Sequence, residues 1–300
     1  MANRKFFLRS MMFVPGHNEK LLINASRSEA DALILDLEDS VQPAENKQIA
    51  RDKIKERVSH GLFKKFDVFP RVNDRESGHL LKDVYQLTIE GITGFVYPKS
   101  HRGQDVYFFD KLLETIEAEK GYPKGKFKIV PLIETAAAVL NAQEICLTSE
   151  RVIAIAFGCE DFISDLEGIH DKEGQSLFTA RAMIAMAARA TGVVPIDTVH
   201  INVHDLEDLE KNVNVAKILG FEGMLILHPK EIEIAHRYFT PSEKEVEDAK
   251  EVLRLSEEAE KQNKGVAVMN GKFIGPPIVI AAKKILERHQ LLIKKKGSMV

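Results

Sequence analysis

The sequence predicts a closed (β/α)₈ barrel, a TIM barrel, followed by a C-terminal helical arm or lid. Short apolar runs alternate with helical patterns, and the alternation repeats through eight rounds. Strict alternation of strands and helices implies parallel pairing, and eight rounds favour closure of the sheet. The chain of 300 residues can hold such a barrel, which takes roughly 250 residues, and a small appendage.

The predicted strands are apolar runs rich in Val, Ile and Leu, as expected of strands buried on both faces. They span Ser10–Pro15, Ala32–Leu37, Val68–Val72, Ile92–Tyr97, Ile129–Ile133, Val152–Phe157, Val194–Asp197 and Gly223–Leu227. The predicted helices span Asn18–Ser26, Ala44–Arg57, His79–Ile89, Asp105–Glu119, Ala136–Leu147, Thr179–Thr191 and Asp205–Leu219. An open doubly wound sheet is the alternative, but no glycine-rich dinucleotide motif follows the first strand.

The pattern changes after the eighth strand, so we predict a barrel domain over 1–240 and a helical arm over 241–300. Pro241–Gln262 is predicted to be a charged helix that begins with a Pro-Ser-Glu-Lys start signal. A stretch rich in Gly, Asn and Pro follows, and then an amphipathic helix over about Ile278–Gln290. The basic tail Ile293–Val300 is expected to be frayed.

Composition excludes several classes of function. A net charge of −3 gives no reason to expect nucleic acid or an anionic membrane as a partner. No apolar run reaches the roughly 18 residues that cross a bilayer, and Arg9 interrupts the short N-terminal run, so no signal peptide is expected. Two cysteines, Cys146 and Cys159, give no disulfide framework and are expected to be buried. We therefore expect a cytoplasmic protein.

Ionisable residues follow nearly every predicted strand. In a TIM barrel the catalytic groups lie where the strands end. The segments at these ends are Pro15-Gly16-His17-Asn18, Asp36-Leu37-Glu38-Asp39, Arg71-Val72-Asn73, Pro98-Lys99, Glu134-Thr135, Gly158-Cys159-Glu160-Asp161, Asp197 and His228-Pro229. A ring of charged side chains around one opening is hard to explain as surface solvation, so we expect the active site there.

Carboxylates predominate in this ring, and they repel each other unless a cation compensates their charge. Mg²⁺ takes one or two carboxylates together with water and substrate oxygens. Glu134 and Asp161 are the predicted direct Mg²⁺ ligands, because they follow neighbouring strands; a loop-capping role is the alternative for each. Glu38 and Asp39 could hold waters on the metal or could instead cap a helix.

Arg71 is the predicted clamp for a substrate carboxylate, because a planar guanidinium binds a carboxylate through two bonds. An internal ion pair with Glu38 or Asp39 is the alternative. A metal on one side and an arginine on the other suit a 2-keto or 2-hydroxy acid that undergoes aldol-type cleavage. Lys99 could instead form a Schiff base, but the ring of carboxylates would then have no role.

Seven strings carry a resemblance to a known family. In chain order they are RSMMFVPG, LILDLEDSV followed by Lys47 and Arg51, FPRVN, GFVYPK, PLIET, AIAFGCEDF and LILHP. Together they resemble the HpcH/HpaI aldolase–citrate lyase family, in particular its citrate lyase β-subunit-like branch. The resemblance covers nearly the whole chain, from Arg9 to about Ile293.

The resemblance implies a TIM barrel that assembles as a homotrimer or hexamer, with Mg²⁺ on Glu134 and Asp161 and a keto-acid carboxylate on Arg71. The implied reactions are reversible cleavages of malyl-CoA, citramalyl-CoA or citryl thioesters to an acyl-CoA thioester and a 2-keto acid. A lyase that acts on an acyl-carrier-protein thioester, as the β subunit of a citrate lyase complex, is a second hypothesis.

One position departs from the family pattern. Relatives carry an aspartate in a lid from a neighbouring subunit, in a stretch that here reads Gly271-Lys272-Phe273-Ile274-Gly275-Pro276-Pro277. Gly275 stands where the aspartate is expected and cannot transfer a proton, a contribution typically of about 10²–10⁴-fold in rate. Asp74, Glu160 or a water on the metal could replace it. Otherwise the substrate needs no such acid, or the protein binds metal, keto acid and CoA without turnover.

Basic residues offer candidate contacts for the phosphates of CoA. Arg9 and Lys20 lie near the first strand, and Lys272 lies on the arm. Solvated surface charge is the alternative for Lys20 and Lys272.

Overall fold

The computed structural model describes residues 6–262, 267–269 and 271–297. Eight parallel strands form a closed barrel, paired in chain order, and the eighth strand pairs with the first. The strands are β1 (Ser10–Pro15), β2 (Ala32–Asp36), β3 (Asp67–Arg71), β4 (Gly94–Tyr97), β5 (Lys128–Ile133), β6 (Ala154–Phe157), β7 (Val194–Asp197) and β8 (Gly223–Ile226). The predicted TIM barrel is therefore confirmed.

Helices follow the strands around the barrel. They are α1 (Glu19–Ala25), α2 (Asn46–Ser59), α3 (Leu80–Leu87), α4 (Gly103–Lys120), α5 (Ala136–Leu140), α6 (Ala142–Leu147), α7 (Cys159–Asp165), α8 (Gln175–Thr191), α9 (Leu206–Leu219) and α10 (Ile232–Phe239). Every predicted helix of the barrel is present, although Asn141 divides one of them into α5 and α6. The sequence did not predict α7 and α10. Within the described residues, no helix is both long enough and apolar enough to cross a membrane.

Burial on both faces explains why the strands could be read from apolar runs. All residues of β2, β4 and β6 are buried, including the small ones. The turn after β1 also packs tightly against β2. A Cβ atom at Gly16 would lie 2.7 Å from the carbonyl oxygen of Asp36 and 2.6 Å from Cδ1 of Ile54, so only glycine fits this close approach.

The chain divides into two compact units, and the division falls between Arg237 and Tyr238, inside α10. The barrel unit comprises Leu8–Arg237. The sequence placed the boundary after residue 240, at the start of the charged helix. The second unit consists of the remaining described residues, including the short segment 6–7.

The second unit contains two helices and a hairpin. They are α11 (Glu243–Lys261), β9 (Ala267–Met269), β10 (Lys272–Ile274) and α12 (Pro276–Gly297), with β9 and β10 antiparallel. Ser242 and Glu245 form a capping box, in which each side chain accepts a hydrogen bond from the other's backbone N–H, and this sets the start of α11. A small apolar core joins these elements through Ala249, Val252, Ala259, Ala267, Ile274 and Ala282.

Two expectations for the second unit differ from the structure. The hairpin was not predicted, because its strands of three residues are too short to show a period. The tail expected to be frayed continues α12 to Gly297, so that expectation is wrong for this part; residues 298–300 lie outside the described residues.

Candidate active site

The carboxyl ends of the barrel strands surround a cavity of about 480 Å³. Its charged lining residues are Asp36, Asp39, Arg71, Glu134, Glu160 and Asp161. Its apolar walls include Phe13, Leu132, Phe157, Val199, Ile201, Leu225 and Leu227. The structure thus brings the two predicted metal ligands and the predicted carboxylate clamp to one cavity, at the end of the barrel where the sequence placed it.

Arg71 ends β3 directly beside Asp36, its register partner at the end of β2. Arg71 Nε donates to Asp36 Oδ1 at 2.6 Å, and Nη2 donates to Oδ2 at 2.8 Å. The third nitrogen, Nη1, donates to Asp39 Oδ2 at 3.0 Å and lies 3.0 Å from Glu38 Oε2. The internal ion pair that was the alternative for Arg71 is therefore present, but Asp36 is its main partner. Nη1 is left to contact the more exposed Asp39.

Asp36 is a site residue that sequence reasoning listed at a strand end but gave no role. It also accepts hydrogen bonds from the Oγ of Ser40, at 2.5 Å, and from the backbone N–H of Glu38. Burial acts to raise the pKa of Asp36, but the charge and hydrogen bonds of Arg71 outweigh it and hold the pKa below its ordinary value. Asp36 is thus an ionised anchor that fixes the Arg71 guanidinium. The signal was available, because Asp36 and Arg71 each stand one residue before the end of neighbouring predicted strands.

The backbone of two neighbouring strand ends is shaped around Glu134, which is 2% exposed. Its Oε1 accepts a hydrogen bond of 2.5 Å from the backbone N–H of Lys99. Lys99 has a φ of 51°, a left-handed conformation that residues other than glycine seldom adopt and that recurs at functional sites. On the other side lies Gly158, where a Cβ atom would stand 2.8 Å from Glu134 Cβ. The position of Glu134 is therefore tightly constrained.

Asp161 lies in the first turn of α7 and is exposed at the same cavity as Glu134. Burial raises the pKa of Glu134 to about 7; the Lys99 hydrogen bond opposes this rise and the negative charge of Asp161 adds to it. The two carboxylates therefore repel each other, and a cation bound by both would relieve the repulsion.

The donor set fits a hard cation. In the described part of the chain, no three His, Cys, Asp or Glu side chains form a metal-binding group. A site of two carboxylates that leaves other positions to water and substrate oxygens suits Mg²⁺ better than a metal held wholly by protein ligands.

Glu38 lies behind Arg71 and, among the described residues, is not part of the cavity lining. Its Oε1 is buried and has no hydrogen-bond partner in the described chain. Burial raises the pKa of Glu38 to about 8; Arg71 opposes the rise, while the charges of Asp39 and Glu134 add to it. The buried Glu38 carboxyl thus favours its protonated form near neutral pH. The predicted role of Glu38 in holding waters on the metal stays a prediction.

The structure does not bring Arg9 to the cavity. Arg9 precedes β1 and so lies at the N-terminal end of the barrel, opposite the cavity. Its Nε and Nη2 donate to the two carboxylate oxygens of Asp31 at 2.7 and 2.8 Å. Arg9 is therefore not placed to contact the phosphates of CoA at this cavity, because nearness to β1 in sequence did not tell the two ends of the strand apart. Lys20, near the start of α1, is exposed and lies outside the cavity lining as far as the chain is described, so its role stays a prediction.

Lys99 contributes its backbone rather than its side chain to the cavity. Its Nζ lies 3.4 Å from Asp74 Oδ2 and 3.9 Å from Glu38 Oε1. Burial acts to lower the pKa of Lys99, but these two carboxylates outweigh it and raise the pKa. A protonated amine is not a nucleophile, so the geometry disfavours the Schiff-base alternative.

Comparisons with known proteins agree with this fold and site. The family model described as HpcH/HpaI aldolase/citrate lyase matches residues 9–229. The citrate lyase subunit beta of Haemophilus influenzae is 37% identical over 96% of this chain and 98% of its own. The L-malyl-CoA/beta-methylmalyl-CoA lyase of Cereibacter sphaeroides is 29% identical over 95% of each chain. Among solved structures, the CitE protein of Mycobacterium tuberculosis with magnesium and acetoacetate is 25% identical, with a TM-score of 0.65 over 81% of this chain and 94% of its own.

Proposed function

The chain belongs to the HpcH/HpaI aldolase/citrate lyase family, and from that premise we propose that it is a Mg²⁺-dependent lyase that cleaves a carbon–carbon bond in an acidic 2-hydroxyacyl thioester. The products would be an acyl-CoA thioester and a 2-keto acid. One observation carries the proposal: Glu134, Asp161 and Arg71 line one cavity at the carboxyl ends of the strands. The names of the relatives, citrate lyase subunit beta and malyl-CoA lyase, support the reaction class.

Glu134 and Asp161 would hold Mg²⁺, as the crystallisation of the M. tuberculosis relative with magnesium and acetoacetate supports. When bound, Mg²⁺ would stabilise the negative charge on the 2-hydroxyl oxygen of the substrate as it loses its proton, the oxygen that becomes the keto oxygen. The Lys99 N–H keeps Oε1 of Glu134 in place and leaves Oε2 without that hydrogen bond, available as a ligand.

Arg71 would bind the carboxylate of the keto acid through Nη1, because Asp36 occupies Nε and Nη2, while Nη1 contacts Asp39 and Glu38. The side chain of Asp39 is 66% exposed and can give up its place on Nη1 to the substrate at low cost. The role of Arg71 as the carboxylate clamp and that of Asp39 in holding waters on the metal stay predictions, and we add Asp36 as the anchor of Arg71.

A panel of thioesters tests this proposal. The purified protein is incubated with malyl-CoA, citramalyl-CoA and citryl-CoA, with Mg²⁺ or with EDTA, and the acyl-CoA and the keto acid are measured. We expect release of a 2-keto acid from at least one thioester and its loss with EDTA. Absence of products from the whole panel with Mg²⁺ present would contradict the proposal for CoA thioesters.

A second candidate is the β-subunit role in a citrate lyase complex, with a carrier-protein thioester as the substrate. The 37% identity to a citrate lyase subunit beta over nearly the whole chain favours this candidate. Cleavage of a citryl carrier protein together with inactivity on CoA thioesters would support it. Turnover of CoA thioesters at rates equal to those on the carrier protein would count against it.

A third candidate, binding without turnover, is motivated by Gly275, and Gly275→Asp tests it. A Cβ atom there would meet only Cδ of Pro277, at 3.8 Å, so the backbone accepts an aspartate. If the missing proton donor limits the reaction, we expect the lyase rate to rise by up to about 10²–10⁴-fold. An unchanged but measurable rate would show that another group supplies the proton. Glu160 is then favoured, because it lines the cavity, whereas Asp74 pairs with Lys99. No turnover in either protein would support binding without turnover.

We also propose a homotrimer or a hexamer, as the family resemblance implies. Analytical ultracentrifugation tests this, and a monomer at micromolar concentration would contradict it.

A further inference from the structure

Helix α2 carries two buried cations, Lys47 and Arg51, one turn apart on the same face. Lys47 Nζ donates to the carbonyl oxygens of Leu37, at 2.8 Å, and of Glu38, at 2.6 Å. Both carbonyls belong to the loop after β2, whose side chains reach Arg71 and the cavity. Lys47 is 6% exposed and, among the described residues, is not part of the cavity lining. Lys47 therefore holds the backbone of this loop from the side away from the cavity.

Arg51 reaches the loop after β3 through an intermediary. Its Nε donates to Oδ1 of Asp83, on α3, at 2.6 Å. The other oxygen of Asp83 accepts hydrogen bonds from Asn73, from the backbone N–H at 2.8 Å and from Nδ2 at 2.6 Å. Arg51 and Asp83 are buried, with side-chain exposures of 2% and 0%. Asn73 is thus fixed two residues after Arg71.

The two loops meet at the site. Asp74, next to Asn73, lies 3.4 Å from Lys99 Nζ, and the N–H of Lys99 holds Glu134. The loop after β2 carries Asp39, which pairs with Arg71. The loop after β2 therefore lines the cavity, the loop after β3 contacts Lys99 beside it, and each loop is fixed from α2.

We propose that Lys47 and Arg51 form an α2 brace: two positioning residues that set the loops after β2 and β3, and through them the Arg71 and Glu134 sides of the cavity. This inference rests on the proposed lyase function. Neither cation touches a substrate, so the brace acts through geometry. Small displacements of a catalytic group lower rates strongly, because the reacting groups must be held in a near-attack arrangement.

A buried arginine at the other end of the barrel offers a matched control. Arg151 donates to both oxygens of Glu117 at 2.6 Å and also to Asp110. It is 3% exposed, but it lies before β6, at the N-terminal end. Arg151→Met removes a buried cation of the same kind without touching either loop.

Lys47→Met is the first test, because its partners are carbonyl groups and the change leaves no buried charge behind. At a temperature where the variant is folded, we expect kcat/KM for the active thioester to fall by about 10–100-fold, the range typical of residues that orient metal ligands. We expect kcat to carry most of the loss. Amide hydrogen exchange should become faster in the loop over 37–41.

Arg51→Met tests the part of the brace that holds the loop after β3. It should make amide hydrogen exchange faster over 72–78 and lower kcat to a similar extent. Arg51→Met/Asp83→Leu also removes the stranded carboxylate, so it should recover part of the lost thermal stability while kcat stays low. Arg151→Met should lower Tm while kcat and the exchange of both loops match the wild type below Tm.

The outcomes separate the brace from the proposed function. If amide hydrogen exchange in both loops is as slow in the Lys47 and Arg51 variants as in the wild type, the brace is overturned, whatever the thioester panel shows. Faster exchange with unaltered kcat would also overturn it, because the loops would then not position the reaction. If the wild type cleaves nothing on the panel, the proposed function fails for CoA thioesters. The exchange data and the Mg²⁺ affinity, expected to fall about tenfold or more in Lys47→Met, then decide whether the brace shapes the site.

Discussion

Buried carboxylates are paired with arginines at the N-terminal end of the barrel, whereas at the C-terminal end such pairs, Arg71 with Asp36 and Arg181 with Asp197, stand beside two buried carboxyls with raised pKa values. At the N-terminal end, Arg9 binds both oxygens of Asp31, and Arg151 binds both oxygens of Glu117. Burial acts to raise the pKa of Glu117, but hydrogen bonds from Arg151 and from the backbone outweigh it and lower the pKa. Both carboxylates are thus paired with an arginine, and that of Glu117 favours its ionised form.

At the C-terminal end, carboxylates outnumber the cations that reach them. Glu134 and Glu38 have pKa values raised to about 7 and about 8, mainly by burial, with neighbouring carboxylates adding to the rise. One end thus contributes stability, whereas the other holds buried carboxyls that favour the protonated form and that a bound cation would favour in the ionised form. The comparison explains why both ends are rich in buried ion pairs but only one suits chemistry.

Removing a predicted metal ligand should have the largest effect. Glu134→Ala is expected to lower Mg²⁺ affinity by more than about 100-fold, the upper end for residues that only orient ligands. Isothermal titration with Mg²⁺ measures this. Asp165→Asn is the control on α7, because it removes a charge one turn beyond Asp161 and keeps an oxygen for the N–H of Ala136. If the wild type and Glu134→Ala bind Mg²⁺ with equal affinity, the C-terminal end of the barrel is not distinguished from the N-terminal end as a cation site.

Breaking a matched pair at the N-terminal end should affect stability alone. Arg151→Met leaves the buried Glu117 unpaired, which typically costs about 3–5 kcal/mol. Urea denaturation measures the loss, with Lys111→Met, at the exposed ion pair with Glu114, as a control that should change little. A loss of Mg²⁺ affinity in folded Arg151→Met would show that the two ends are coupled.

The raised pKa values predict opposite pH trends for stability and for metal binding. Because the folded pKa of Glu134, about 7, exceeds its ordinary value of 4.5, its stabilising contribution is present below pH 4.5 and is lost as pH rises through 7. Mg²⁺ binds the ionised carboxylate, so its affinity should fall by up to about tenfold per pH unit below 7. Tm measured with and without Mg²⁺ from pH 5.5 to 8.5 should show a shift that grows with pH. A shift independent of pH would count against Glu134 as a ligand.

The smallest expected effect comes from Gly158→Ala. The added Cβ would stand 2.8 Å from Glu134 Cβ and 3.0 Å from Oε2, so the carboxylate must move. We expect Mg²⁺ affinity to fall by about tenfold, with little change in Tm. Gly168→Ala is the control, because a Cβ atom there meets nothing closer than 3.7 Å. Equal affinities in the two variants would show that Glu134 is less constrained than the structure indicates.

The fold could be predicted from sequence because its signal is local. Strands buried on both faces appear as apolar runs, and their alternation with helices implies the barrel. The hairpin of β9 and β10 gave no such signal. The division of a predicted helix at Asn141 also depends on tertiary packing, which a periodicity does not record.

The residues of the candidate site could be predicted from the sequence, but the hydrogen bonds between them could not. Strand ends named Arg71, Glu134 and Asp161, and the structure places all three at one cavity. Which carboxylate binds Arg71 depends on the register of β2 and β3, and the role of the Lys99 N–H depends on a backbone conformation. Neither is encoded in residue type alone. The misplacement of Arg9 has a simpler cause, since it stands before its strand rather than after it.

A crystal soaked with Mg²⁺ and a small 2-keto acid tests the central claim most directly. The account predicts one cation bound by Glu134 and Asp161, with the keto-acid carboxylate on Nη1 of Arg71. A cation bound elsewhere, or a keto acid that avoids Arg71, would contradict it.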